Sequence, residues 1–241
     1  MKKSALLAVA GFAAALVLPV VASAPRPEPA LPDSRMPDHL MADNEMTDDQ
    51  MSDGRTPERQ VVDGGSTPLR TVDDVVDACR ASGLQGWPLV DLTTSLVHRM
   101  YTRYSCWHLW LSPARSLEAG QGCSTQYNLA LAQILRRLGL SVHVVHASRA
   151  RMEHHPWFHT GHTWLQVVCE GRRLDVCASR PGNRAGEVAF VPITEVRPFR
   201  RLTHLDTTLA LAPIVVAGWW RSRLQRRPVP RWMYRPFGQS A

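Results

Sequence analysis

The feature that most constrains this 241-residue chain is a single helix face. Tyr127, Ala130, Leu131, Ile134, Leu135 and Leu138 recur at i, i+3, i+4, i+7, i+8 and i+11, the spacing of one apolar stripe on an α-helix. Arg136 and Arg137 close the stripe, and Gly139 follows where a left-handed cap is expected. Such a helix must bury one side against a second layer. Cys123 lies one turn before Tyr127 on the same face, directly after Gly120-Gln121-Gly122. The helix therefore points a thiol, at its N-terminal end, towards whatever packs there. Unpaired N–H groups and the positive end of the macrodipole both favour thiolate at that position.

The second layer is legible downstream, where the periodicity shortens. Ser141 to Ala147 reads as a strand, Thr163 to Cys169 as another and Arg172 to Val176 as a third, with Glu170-Gly171 as a two-residue turn between the last two. A further short strand is expected around Val188 to Val191, and a loop from Ser148 to Gly161. Upstream, Thr71 caps a helix that carries Val72, Val75, Val76 and Cys79 and ends at Gly83. A second helix is expected from Asp91, with Leu92, Leu96, Val97, Met100, Tyr101 and Tyr104 as its stripe. Residues 105–119 read as irregular. The fold class expected is α+β: one central helix packed on a small antiparallel sheet.

The ends of the chain differ from this middle. Met1-Lys2-Lys3 followed by an uncharged Ala/Leu/Val run from Ser4 to Ala24 has the form of an export signal. Cutting after Ala22 fits best, because Pro25 would hinder a cut after Ala24. The same run is close to the roughly 20 residues that span a bilayer, so an uncleaved anchor is the alternative. From Pro25 to about Thr67 the chain is polar and carries a pentapeptide repeat at Met36, Met41, Met46 and Met51 with Asp in third place. Nothing there offsets the entropy of ordering, so residues 25–67 are expected to be a disordered linker between the leader and a domain over 68–204. Within the remaining 205–241, the apolar run Leu209 to Trp220 is 12 residues, too short to span a membrane, and an Arg-rich tail follows. A core or interfacial helix is expected, with Trp219-Trp220-Arg221 as a possible interfacial border.

The net charge of +7 conceals an acidic segment before residue 80 and a basic remainder with 20 Arg, no Lys and 8 acids from Ala81 onward. Arginine without lysine reads as codon bias, and no RNA-binding aromatic motif or zinc-finger spacing accompanies it. Nucleic acid is not an expected partner. His154, His155, His159 and His162 are loosely spaced and no carboxylate or cysteine completes a zinc pattern, so no metal or other cofactor is expected. The five cysteines are Cys79, Cys106, Cys123, Cys169 and Cys177. An odd number in an exported protein suggests a free thiol beside possible disulfides. On the hairpin turning at Glu170-Gly171, Cys169 faces Arg172 and Cys177 faces Trp164, too far apart to bond.

A cysteine nucleophile needs a base, and the base needs an orienting group. Cys123 at the helix end, His162 opening one strand and Asp175 on its neighbour supply those types. In the two-residue hairpin Asp175 falls opposite Gln166, on the face of Trp164 and His162 and about two pairs away from His162. The oxyanion donors expected are the Cys123 N–H and one further group, with Gln121 a candidate.

Gly122-Cys123, the helix ending Arg136-Arg137-Leu138-Gly139-Leu140, Gly161-His162-Thr163-Trp164-Leu165-Gln166-Val167 and Leu174-Asp175 together resemble the transglutaminase-like cysteine superfamily, in particular its compact bacterial branch, which includes the leader peptidases of lasso-peptide maturation. The resemblance covers about residues 115–180. It implies a papain-like α+β core, with Cys123 as nucleophile, His162 as general base and acid and Asp175 as orienter. Thr163 replaces the usual alanine, and Val176-Cys177 follow the acid where Pro or Thr is commoner. Arylamine N-acetyltransferases share the same logic, but their Arg-Gly-Gly and Asp-Val-Gly stretches are only half matched by Gly120-Gln121-Gly122 and Asp175-Val176-Cys177. The function expected is acyl transfer at a peptide, protein or cell-wall amide through a thioester, outside the cytoplasm. An inactive domain of the same fold, binding at the envelope, is the competing expectation.

Overall fold

The computed structural model describes residues 2–26, 69–152 and 155–237. The Met-x-Asp repeat and almost all of the expected linker lie outside the described residues, as do His154 and the side chains of His155 and His159.

Helix α1 spans Lys2–Ala22. Helix α2, Val72–Ala81, opens on a full capping box: Thr71 Oγ1 accepts from the Asp74 N–H at 3.1 Å, and Asp74 Oδ2 accepts from the Thr71 N–H at 2.8 Å. Helix α3 is Gly86–Met100 and starts five residues before the expected Asp91. Pro88 is the reason, since a proline in the first turn lacks only an N–H that has no helical partner there. Helix α3 ends at Met100, so Tyr104, expected on its stripe, lies instead in strand β1, Arg103–Ser105. Helix α4, Pro113–Glu118, replaces part of the expected irregular stretch, with Ser112 as N-cap and Pro113 in the first turn. Strand β2, Gln121–Gly122, leads into α5, Ser124–Arg137, the helix read from the apolar stripe. Leu131, Ile134 and Leu135 on that stripe are fully buried, and Gly139 takes the cap with φ +87°.

The layer beneath α5 is an antiparallel sheet of β3 (Ser141–Met152), β4 (His155–Cys169), β5 (Arg172–Val176), β6 (Phe190–Pro192) and β7 (Arg197–Pro198). Its order is β5-β4-β3-β6, and β7 also pairs with β3. Glu170 and Gly171 both have positive φ, which closes the β4–β5 hairpin with its twist matched to the strands. The register is the expected one, with Gln166 opposite Asp175 and Cys169 opposite Arg172. The expected loop from Ser148 to Gly161 is instead largely strand: β3 and β4 continue past a register shift between Ala147 and Ala150. Exposed Arg149 and Arg151 interrupt the apolar alternation there, so the period-two signal is lost while the ladder goes on.

The C-terminal segment returns to the domain. Helix α6 is Arg201–Leu224, and strand β8, Tyr234–Pro236, pairs antiparallel with β1, whose other side carries β2 in parallel. The expected 12-residue apolar element is corrected to a 24-residue helix that runs through Pro213. At the α-helical rise this is about 36 Å, enough by length and composition to cross a membrane. Helix α1 lies against α6 and the domain. Trp107 Nε1 donates to the Val20 carbonyl at 2.7 Å and Trp220 Nε1 to that of Leu16 at 3.1 Å. Val20 is 2% exposed, in an apolar cluster with Trp107, Cys123, Val215, Trp219 and Met233.

Candidate active site

Cys123 is the N-cap residue of α5, in extended conformation at φ −96° and ψ 178°. Gly122 makes this position possible. A Cβ there would collide with Ser116 Oγ, which is held by a 2.6 Å bond to the Gln121 carbonyl, and would crowd the Tyr101 ring. Gln126 completes the capping geometry: its Oε1 accepts from the Cys123 N–H at 3.1 Å, while its Nε2 donates to the carbonyls of His108 and Leu111 at 2.9 Å each. The Cys123 N–H expected in an oxyanion hole is therefore occupied, because the Cys-x-x-Gln spacing works as a capping box.

The electrostatics differ from the expectation in one respect. Cys123 is 8% exposed, and burial pushes its thiol above the ordinary value. The N–H groups of Gln126 and Thr125 and the Thr125 hydroxyl favour the thiolate but do not outweigh that desolvation. The helix terminus acts as expected; the expected net shift towards thiolate is corrected by burial.

Cys123 opens into a cavity of about 340 Å³ whose lining includes Thr125 and Gln126 from α5, His146 from β3, Gly161 from β4, and Thr207 and Leu211 from α6. A larger hollow of about 610 Å³, at Ser222, Arg223, Arg226 and Arg227, is lined by no cysteine, histidine or carboxylate. Gln121 is fully buried with both amide atoms unpartnered and is not among the residues lining the Cys123 cavity.

The two remaining motif residues share a face of the sheet, as their parity requires, but no hydrogen bond links them. Asp175 Oδ1 accepts from Trp164 Nε1 at 3.0 Å and from Gln166 Nε2 at 3.1 Å. His162 is 3% exposed, its ring packs on Phe190 at 4.5 Å between centroids, and its Nε2 lies 3.4 Å from Cys177 Sγ. Burial, with a smaller contribution from His146, lowers its imidazole to about 3. The neighbouring Thr163 faces α5, where its hydroxyl meets that of Thr125 at 3.1 Å and its carbonyl accepts from Asn128 at 2.7 Å. Alternation along β4 thus turns His162 from the face that Thr163 presents to α5. The histidine in the Cys123 cavity is His146, whose Nδ1 lies 3.0 Å from Thr163 Oγ1. Its signal in the sequence was the pairing of Ser141–Ala147 with Thr163–Cys169, which sets His146 opposite Thr163. All five cysteines are free, so none of the possible disulfides is formed.

No family model and no curated protein matches the chain. Solved structures that are similar to the chain include the following two. One is a TGase, 14% identical, with 47% of this chain and 32% of that chain covered at a TM-score of 0.37. The other is a candidate cysteine protease from Cytophaga hutchinsonii, 12% identical, with 56% of this chain and 51% of that chain covered at a TM-score of 0.37. The chain thus spans about a third of the one and half of the other.

Proposed function

We propose that this chain is an exported or membrane-tethered cysteine enzyme that transfers an acyl group from an amide through a thioester on Cys123. One observation carries the reading: the thiol caps an amphipathic helix and opens into a cavity that also holds an imidazole. The sulfur attacks the amide carbonyl carbon as the thiol proton passes to a base. The proton then goes to the departing amine, leaving a thioester that water or a second amine resolves. Hydrolysis of a peptide, protein or cell-wall amide is the favoured outcome, and amine cross-linking the second. The motif's base and orienter, His162 and Asp175, are bonded elsewhere, and His162 takes this proton only where its ring turns from Cys177 towards the helix end. Replacing Cys123 by alanine is expected to abolish turnover of peptide and peptidoglycan amides, and turnover at the original rate in that variant contradicts the proposal.

The inactive, binding domain is favoured by a different observation. The Cys123 N–H is already occupied by Gln126, and the thiol is held protonated by burial. Under this second reading Cys123→Ala binds the same envelope component as the parent chain, and neither forms an acyl adduct.

The anchor reading of the leader is supported by the contacts at its C-terminal end. Besides the two indole donors, His108 Nε2 lies 3.0 Å from the Pro25 carbonyl, beyond the expected cleavage point. A segment removed after Ala22 would take Val20 out of the cluster that contains Cys123. We therefore favour retention of α1, which places the cavity, walled in part by α6, close to the outer face of the membrane.

A further inference from the structure

We propose that the imidazole exchanging the proton of Cys123 is His146, connected to the thiol by the hydroxyls of Thr125 and Thr163. The inference rests on the reading of Cys123 as a nucleophile and identifies its proton acceptor.

Two hydrogen-bonding contacts and a shared cavity wall form the connection. Thr125 stands two residues after Cys123 in the first turn of α5 and lines the same cavity, and its hydroxyl is one of the groups that favour the thiolate. Its oxygen lies 3.1 Å from Thr163 Oγ1, which lies 3.0 Å from His146 Nδ1. The groups come from separate elements whose positions are fixed independently. Thr125 is in the first turn of α5, Thr163 is on the α5-facing side of β4, and His146 is its direct partner on β3. Thr163 is fully buried and Thr125 is 8% exposed, so the hydroxyls face each other rather than water. The His146 ring is flanked by Phe199 at 6.0 Å between centroids and, with Cys123, lines the cavity. Thr163 stands where the resembled family has alanine, which carries no hydroxyl to make this connection.

The proton count closes. In the resting state the thiol donates to Thr125, Thr125 to Thr163, and Thr163 to Nδ1 of neutral His146, whose other nitrogen carries the hydrogen. Each hydrogen bond passes one proton forward, leaving thiolate and imidazolium, and every hydroxyl then points back towards the sulfur. After the thiolate adds to the amide carbonyl, the imidazolium proton is delivered to the departing amine. The neutral imidazole then takes a proton from the water that opens the thioester. Burial holds the imidazole below its usual range and the thiol above its own, so both are neutral between those limits. The titratable or charged groups around His146 among the described residues are Cys123, Cys106 and Tyr104 on the wall of the same cavity, His162 on β4, and Arg197, opposite in register on β7 and paired with Glu195.

The test is the pH dependence of iodoacetamide labelling at Cys123, followed residue by residue by mass spectrometry on the full chain in detergent. An isolated thiol labels about tenfold more slowly for each pH unit below its pKa. A thiol coupled to a neutral base labels at a constant rate between the two pKa values. The expected result is a plateau in the parent chain that is lost in His146→Asn and Thr163→Val, restored in Thr163→Ser and kept in His162→Asn. At pH 7 the loss in His146→Asn is expected to be about a hundredfold, at the lower end of general-base assistance. A plateau that survives in folded His146→Asn and disappears in His162→Asn overturns the inference while leaving Cys123 as nucleophile. Labelling of the parent chain without a plateau also overturns it. No labelling of Cys123 at any pH overturns the underlying reading instead.

Discussion

Burial acts on the two motif residues Cys123 and His162 in opposite chemical directions, and both effects keep the groups neutral. The thiol is pushed up because thiolate loses its hydration, and the imidazole is lowered to about 3 because imidazolium does. The second shift has a consequence for stability. Above the ordinary histidine pKa of 6.5, His162 is neutral folded or unfolded and contributes no pH dependence. Below 6.5 the unfolded chain takes up a proton that the folded one refuses until about 3, so stability falls with pH across that window. The slope is about 1.4 kcal/mol per pH unit for one such group. Urea unfolding from pH 7 to pH 4 should therefore show a steep acid limb, shallower in His162→Gln; His98, His108 and His146, also lowered by burial, maintain the remainder. The place of Cys123 at a helix end was legible because the stripe from Tyr127 to Leu138 is local in sequence. Its burial was not, because Val20, Val215, Trp219 and Met233 arrive from both ends of the chain.

Among the elements, the β4–β5 hairpin was readable in full because turn chemistry and strand alternation agree at Glu170-Gly171, and register follows from the turn. The continuation of β3 and β4 beyond Ala147 was not, since a bulge and exposed arginines remove the alternation while leaving backbone pairing intact. His146 lies in the part of β3 that was read, and went unnoticed because its place opposite Thr163 comes only from the β3–β4 register. The turn into α5 is the tightest point around the thiol. Gly122→Ala must displace Ser116 Oγ from the Gln121 carbonyl and also crowds the Tyr101 ring. Overpacking of this kind costs about 1–3 kcal/mol, so a lowered melting temperature and altered labelling of Cys123 are expected together. An unchanged melting temperature would mean that β2 shifts freely and does not fix the cysteine.

At the scale of the whole molecule, the two apolar helices and the domain form a single arrangement. Helix α6 walls the Cys123 cavity, and α1 is tied in by Trp107, Trp220 and Val20. These parts look separate along the sequence because each is apolar in its own right, and only tertiary contacts bring them together. Intact mass of the protein from the membrane fraction is expected to include residues 1–22; a chain beginning at Ser23 would refute the anchor reading. The central claim is that Cys123 carries the acyl group. Its most direct measurement is intact and peptide mass analysis after rapid acid quenching of turnover on peptide and peptidoglycan amides. A hydroxylamine-labile acyl adduct confined to Cys123 is expected, and both adduct and turnover are expected to be absent from Cys123→Ala. Turnover that continues in Cys123→Ala without an adduct would contradict it.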